Sequence, residues 1–106
     1  MPSGQVDRVT MFKIPDSKAQ EEILSKYKSL RADALKDGKP YIVSAKAGYT
    51  ENDPRNQGFN IVANTTFASM ADFEFYDKDC EAHKVIREFA KSVHQGVMMV
   101  YFKSVL

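Results

Sequence analysis

A chain of 106 residues with 15 basic and 14 acidic side chains lacks the strongly basic surface expected of a general nucleic-acid binder. No apolar run approaches the ~20 residues that a membrane-spanning helix needs. The single cysteine, Cys80, excludes an intrachain disulfide and suits a reducing compartment. We therefore predict one cytoplasmic domain, residues 1–106, with no nucleic-acid partner and no membrane partner.

The first third of the chain predicts a strand followed by a helix. Residues 6–14 alternate as a strand does, and one predicted face carries Arg8, Thr10, Phe12 and Ile14. Ser17, with Gln20 three residues later, forms a capping-box pattern at a helix start. Apolar residues then recur at helical spacing, at Ile23, Leu24, Tyr27, Leu30 and Ala34. Lys36 and Gly38 fit the end of this helix.

The rest of the chain predicts two strands, two helical segments and a last strand. Residues 41–47 and 59–67 read as strands, joined by a polar loop over residues 48–57. Ser69 starts a short helix that ends at a polar break, residues 77–79, where Asp79 is the predicted N-cap of the next helix. The apolar face of that helix holds His83, Ile86, Phe89, Ala90 and Val93. Residues 97–102 form the last strand.

The resulting order, β-α-β-β-α-β, predicts an α+β, ferredoxin-like protomer with a four-stranded antiparallel sheet and helices on one face. All six residues of the last strand are apolar or aromatic, and further apolar groups assigned to the bare face are Val9, Met11, Ile42 and Val62. Such a patch favours an interface, so we predict a homodimer in which two sheets pack face to face. The alternative is that the last strand is the doubly buried centre of a larger monomeric core.

Tyr76 and His83 form the one constellation that we expect to carry chemistry. On a continuous helix, seven residues separate the two side chains by ~10.5 Å, with room for a ring-sized ligand between them. A break at residues 77–79 would allow direct contact. Histidine suits proton transfer near neutral pH, and a tyrosine hydroxyl can stabilise an enolate. A catalytic pair, a non-catalytic ligand pocket and a purely structural pair all remain open.

Other candidate sites are weaker. Cys80 and His83 have a C-x-x-H spacing, but a closed zinc site needs four ligands, so we predict no metal and no other cofactor. Arg8 and Thr10 are polar residues on a strand face that the helices should cover. They reach a pocket, or Arg8 pairs with a carboxylate such as Glu74 or Glu81.

The chain resembles the stress-responsive A/B barrel domain family, which belongs to the dimeric α+β barrel group. The resemblance lies in residues 8–14, the helix over residues 17–30 with Tyr27, residues 66–69, and the segment from Tyr76 to Ala82 and His83. It implies a barrel made by two sheets. It also implies a relationship to a plant polyketide cyclase, in which a tyrosine orients the substrate and a histidine acts as general base.

Carried onto this chain, the resemblance assigns catalysis to His83 and Tyr76. Arg8 stands where the family usually has a histidine. The ligand-binding residues that we predict are Arg8, Thr10, Phe12, Ile23, Leu24, Tyr27, Phe73, Ile86 and Phe89. The leading hypothesis is a homodimer that binds a small apolar or aromatic molecule between sheet and helices, with polyketide-type cyclisation as the implied reaction. The alternative is a non-catalytic stress-response or interaction protein of the same fold.

Overall fold

The structure, a computed structural model, describes residues 4–106. Its elements in chain order are β1 (Val6–Lys13), α1 (Ser17–Lys28), α2 (Leu30–Asp33), β2 (Leu35–Lys36), β3 (Lys39–Pro40), β4 (Ile42–Tyr49), a 3-10 turn (Pro54–Asn56), β5 (Ile61–Phe67), α3 (Met70–Lys78), α4 (Glu81–Val93) and β6 (Gly96–Phe102). The four long strands form one antiparallel sheet in the order β4-β5-β1-β6. The predicted α+β, ferredoxin-like protomer is confirmed.

The side chains of the inner strand β1 point alternately to the two faces of the sheet. Its residues alternate between buried and half-buried along the whole strand, and those with even numbers face the helices. Arg8, Thr10 and Phe12 are therefore buried beneath the helical layer, on the face predicted for them. The helix-facing side is where a cavity between sheet and helices can form.

The start of α1 differs from the prediction by one residue. Asp16, not Ser17, is the N-cap, and its Oδ2 accepts a hydrogen bond from the Ala19 amide at 2.9 Å. Gln20 does not reach back to a serine; its Nε2 donates to the Ile14 carbonyl at 2.6 Å. A carboxylate just before the first turn satisfies an amide that has no intrahelical partner, so the aspartate caps the helix.

The predicted end of the first helix, near Lys36 and Gly38, is wrong. The helix α1 ends at Lys28, α2 adds one short turn, and residues 35–40 form a small hairpin of β2 and β3. Asp37 and Gly38 both have left-handed backbone angles, with φ of 53° and 76°. An Asp-Gly pair is the sequence that a two-residue hairpin loop favours, and this signal outweighs the resemblance to a helix C-terminus.

The second helical segment is interrupted, as predicted, but the break lies at residues 79–80, because Asp77 and Lys78 still belong to the last turn of α3. Ser69 caps α3 by accepting a hydrogen bond from the Asp72 amide, as predicted. Asp79 follows the last residue of α3 and is not an N-cap; Cys80 holds that position for α4. The buried face of α4 carries His83, Ile86 and Ala90.

The open face of the sheet is bare in the described part of the chain. Because β6 is an edge strand, residues 97–102 are each between 36% and 51% exposed, so the doubly buried alternative is wrong. Met98 and Val100 lie opposite Met11 and Val9 on this face. Ile42 does not belong to it: this residue is 5% exposed and pairs with the fully buried Phe67 on the helix side.

An aromatic cluster fills the helix side and fixes the position of α3. The ring of Phe67 lies 4.9 Å from that of Tyr76, 5.9 Å from Phe73 and 6.2 Å from Tyr41, measured between centroids. Stacked, edge-on and tilted ring pairs at such distances add to the stabilisation from buried area. The cluster holds the end of α3, and with it the Tyr76 main chain, against the sheet.

Candidate functional site

A cavity of about 230 Å³ lies between the sheet and the helices α1 and α4. An apolar cavity of about 150 Å³ suffices for benzene, so this one has room for a substituted aromatic ring. Six of the residues predicted for the site line it: Arg8, Thr10, Phe12, Tyr27, His83 and Ile86. These side chains come from β1, α1 and α4.

Five other residues predicted for the site do not line this cavity: Ile23, Leu24, Phe73, Tyr76 and Phe89. Ile23 is fully buried in the core. Leu24 borders a separate open groove between α1 and β4. Phe73 stacks on Tyr101 with ring centroids 4.3 Å apart. Phe89 lies beside the Lys26 ammonium group.

His83 is oriented by the end of the preceding helix. Its Nδ1 lies 2.9 Å from the Tyr76 main-chain oxygen. A carbonyl oxygen can only accept, so Nδ1 carries the hydrogen, and in the neutral ring Nε2 keeps a free lone pair. The imidazole also stacks on the Tyr76 ring, at 4.0 Å between centroids and an angle of 17°. The interaction between the two residues is thus main-chain hydrogen bonding plus stacking.

The helix break makes this arrangement possible. The last carbonyls of a helix have no intrahelical partner, and α3 ends at Lys78, which leaves the carbonyls of Tyr76 and Asp77 free. His83 takes the first, and Arg87, one turn further along α4, donates from Nη1 to the second at 2.9 Å. Two side chains of α4 therefore cap the C-terminus of α3.

The electrostatics of the site keep His83 neutral. Burial, and after it the nearby positive charge of Arg8, lower the pKa of His83 from 6.5 to about 4, against the opposing effect of the Tyr76 hydrogen bond. Burial also raises the pKa of Tyr27 to about 12, so this phenol stays protonated. At neutral pH the cavity therefore presents an uncharged imidazole and an uncharged phenol.

Arg8 pairs with neither Glu74 nor Glu81, the carboxylates considered from sequence. Its Nη2 lies 3.5 Å from the Asp77 carboxylate, and its Nη1 donates to Thr10 Oγ1 at 2.9 Å. The guanidinium carbon is 5.2 Å from the centre of the Tyr76 ring, within range of a cation–π contact. Arg8 also lines the cavity. It therefore reaches the pocket and contacts a carboxylate at the same time.

Among residues 4–106 there is no group of three or more histidine, cysteine or acidic side chains that could hold a metal ion. The same residues contain no helix long and apolar enough to cross a membrane.

Comparison with known proteins identifies the family. The model of the Stress Responsive A/B Barrel Domain matches residues 6–104. The chain belongs to this family. A curated relative, the "Fusaristatin A biosynthesis cluster protein" of Gibberella zeae, is 39% identical over 102 residues, covering 95% of this chain and 74% of that protein.

Solved structures with the same fold include an enzyme and a dimer. Hydroxynitrile lyase from Passiflora edulis superposes with a TM-score of 0.81 at 17% identity, over 97% of this chain and 95% of that one. A dimeric ferredoxin-like protein of unknown function from Jannaschia sp. gives 0.77 at 13% identity, over 95% and 100%. At these identities the likeness concerns the fold of the A/B barrel chain alone.

Sequence reasoning missed several residues that line the cavity of this A/B barrel domain: Arg87, Ala90, Lys91, His94, Val97 and Met99. A signal was present, because His83, Arg87 and Lys91 recur at four-residue intervals and so share one side of α4. The two β6 residues alternate with the open-face positions, which the strand period also predicts. From α4, the sequence prediction assigns only His83, Ile86 and Phe89 to the pocket.

The Tyr76 hydroxyl gives a test of its role. Tyr76 is 1% exposed, and its hydroxyl finds no hydrogen-bond partner in the described part of the chain. Removing an unsatisfied buried hydroxyl costs little, so Tyr76→Phe should leave the free energy of unfolding unchanged or raise it by up to about 1 kcal/mol. Tyr76→Leu removes the ring under His83 and should lower it by about 2 kcal/mol or more. Urea unfolding measures both; a clear loss in Tyr76→Phe would reveal a partner for the hydroxyl.

Proposed function

We propose that this A/B barrel domain binds a small apolar or aromatic carbonyl compound in the cavity and removes a proton from it without a cofactor, with His83 as general base. The observation that carries the proposal is the fixed tautomer of His83. Its Nδ1 is held by the Tyr76 carbonyl, and its ring lines a cavity of aromatic size. The basic Nε2 is thereby available to a ligand.

The reaction that fits these groups is proton abstraction next to a carbonyl. Nε2 would take the proton from carbon, and the electron pair would move to the carbonyl oxygen to give an enolate. Addition of the enolate carbon to a second carbonyl of the same molecule would close a ring, and the alkoxide formed would take the proton back from Nε2. Loss of this hydroxyl with a neighbouring proton would then release water. The resemblance to a polyketide cyclase and the 39% identity to a biosynthesis-cluster protein support this class of substrate.

Self-association belongs to the same proposal. The bare sheet face, with the half-exposed Met98 and Val100, suits a second copy of the chain, and a structure of the same fold is described as dimeric. Two sheets packed face to face would complete the α+β barrel. A cytoplasmic location is also part of the proposal, in keeping with the unpaired and buried Cys80.

One observation favours the non-catalytic alternative. A general base works best with a pKa near the working pH, whereas the pKa of His83 is lowered to about 4 by burial and by Arg8. An imidazole of this kind is unprotonated but weakly basic. A binding or interaction protein of the same fold needs no stronger base, so turnover must be measured directly.

Deuterium exchange into the methyl group of 2-acetylnaphthalene, followed by NMR in D2O, tests the proposal. We expect the protein to bind this ketone and to accelerate exchange, and His83→Gln to slow the catalysed exchange by at least about tenfold while binding persists. Ala90→Leu, which narrows the cavity, should weaken binding, and Ala82→Leu on the same helix but outside the lining should not. Binding without exchange supports the alternative; no binding contradicts the pocket itself.

A further inference from the structure

We propose that the molecule bound in this cavity is an organic carboxylate, held by Arg8 and Arg87 with its apolar body against Phe12 and Ile86. This inference rests on the proposed function and specifies the ligand of the same site. It depends on the charges of the lining, on the incomplete pairing of Arg8 and on the position of Arg87.

The charges that line the cavity are all positive. Arg8, Arg87 and Lys91 contribute side chains to it, and none of the described residues that line it is acidic. The carboxylate that pairs with Arg8, that of Asp77, is outside the lining and 39% exposed. A cleft lined by one sign of charge attracts the opposite sign, and low-dielectric walls strengthen the effect. An anion is therefore the charge type that this cavity favours.

Arg8 is a buried cation with incomplete partners. Its relative exposure is 7%, and its Nε is buried with no hydrogen-bond partner among residues 4–106. Its ion pair to Asp77 is long at 3.5 Å. A buried charge is costly unless it is paired and hydrogen-bonded. A carboxylate that accepts two parallel N–H bonds from a guanidinium would supply the missing compensation.

Arg87 is tethered beside the same residue. Its Nη1 donates to the Asp77 main-chain oxygen, and the Arg8 Nη2 faces the Asp77 side chain. Both guanidinium groups thus approach Asp77 from different elements, α4 and β1, and both line the cavity. This convergence makes the site more specific than a surface cluster of basic residues.

The rest of the lining accounts for the apolar part of the ligand. Phe12 is 5% exposed and Ile86 is 3% exposed, and Met99 adds a third apolar wall from β6. His83 lies in the same lining, so a carboxylate at the arginines would place the adjoining part of the molecule within the space that the imidazole also borders. The ligand class is an aromatic or otherwise apolar acid.

A matched pair of probes tests the inference: 2-naphthoate and its neutral counterpart, 2-naphthamide, titrated calorimetrically into the protein in a phosphate-free buffer at pH 7. We expect the acid to bind at least tenfold tighter than the amide. The preference should fall below threefold in Arg8→Gln and in Arg87→Gln. Lys84→Gln, which removes an exposed positive charge from the same helix outside the lining, should keep it.

Each outcome decides a different point. Equal binding of acid and amide overturns the carboxylate inference and leaves the proposed pocket standing. A preference that survives in both arginine variants assigns the anion to other groups and also overturns it. Failure of both probes to bind contradicts the proposed function together with this inference. Because Arg8 is buried, its variant is checked by circular dichroism, and Arg87→Gln decides the result if Arg8→Gln does not fold.

Discussion

Replacing Val100 by glutamate is expected to yield a monomer of 12.0 kDa at micromolar concentration, where the dimer proposed for the unchanged chain should sediment with twice that mass. Val100 is 51% exposed on the open face, in the edge strand β6, and lies opposite Val9 of the inner strand β1. In a two-fold interface each substitution appears twice, so two carboxylates would be desolvated without partners. A penalty of about 4 kcal/mol, or roughly a thousandfold in the dissociation constant, is of the size expected for unpaired interfacial charges.

Val85→Glu is the matched control for this experiment. Val85 is a valine of similar exposure, 55%, but it lies on α4 on the other side of the molecule from the open face. Sedimentation velocity of both variants at the same concentration separates an effect of surface charge from loss of an interface. Dimerisation through this face would be contradicted if the unchanged chain sedimented with a mass of 12.0 kDa, or if the Val100→Glu variant still sedimented as a dimer.

Acidification is expected to destabilise the protein through His83 by about 2.5 kcal/mol between pH 7 and pH 4.5. The pKa of His83 is about 4 in the folded chain, against an ordinary value of 6.5, chiefly because the ring is buried. Above pH 6.5 the ring is neutral in both states. Between pH 6.5 and 4 the unfolded chain binds a proton at His83 that the folded chain does not bind. The free energy of unfolding therefore decreases as the pH falls through this range.

His83→Gln isolates this contribution from the carboxylates that also titrate. A glutamine amide can still donate to the Tyr76 carbonyl, which His83 Nδ1 now engages, but it does not titrate. The variant should be less stable than the unchanged protein at pH 7, and the gap should shrink by about 2.5 kcal/mol at pH 4.5. Urea unfolding at a fixed protein concentration measures the gap. A gap that is the same at both pH values would mean that His83 titrates normally in the folded state.

The periodicity of apolar residues was enough to predict the sheet and the buried faces, because an element that is buried on one side carries apolar residues at regular intervals. The alternation of β1 predicted the two faces of this strand, and the polar residues 77–79 predicted the helix break to within two residues. Residues 35–40 were wrongly predicted to end a helix, because Gly38 suits a helix end and a hairpin loop equally well. Asp37 decides between them, since both positions of that loop adopt left-handed angles.

The candidate site was predictable where a single element carried the signal. Arg8, Thr10 and Phe12 follow from the strand period, and His83 and Ile86 from the stripe of α4. The exclusion of Tyr76 from the lining was not predictable, because it depends on how the end of α3 packs against Phe67. The contact between His83 and a main-chain oxygen was equally unpredictable, since the pattern of side chains does not show which main-chain carbonyls lack a partner.

The alignment of the site depends on main-chain atoms that every amino acid possesses. His83 and Arg87 are both held by carbonyl oxygens at the end of α3, and neither hydrogen bond uses the side chain of the residue that accepts it. The side chains at positions 76 and 77 can therefore change in the course of evolution without loss of the two hydrogen bonds that orient His83 and Arg87. The break between the helices thus assigns the orientation of two cavity side chains to main-chain atoms, which no substitution at these two positions removes.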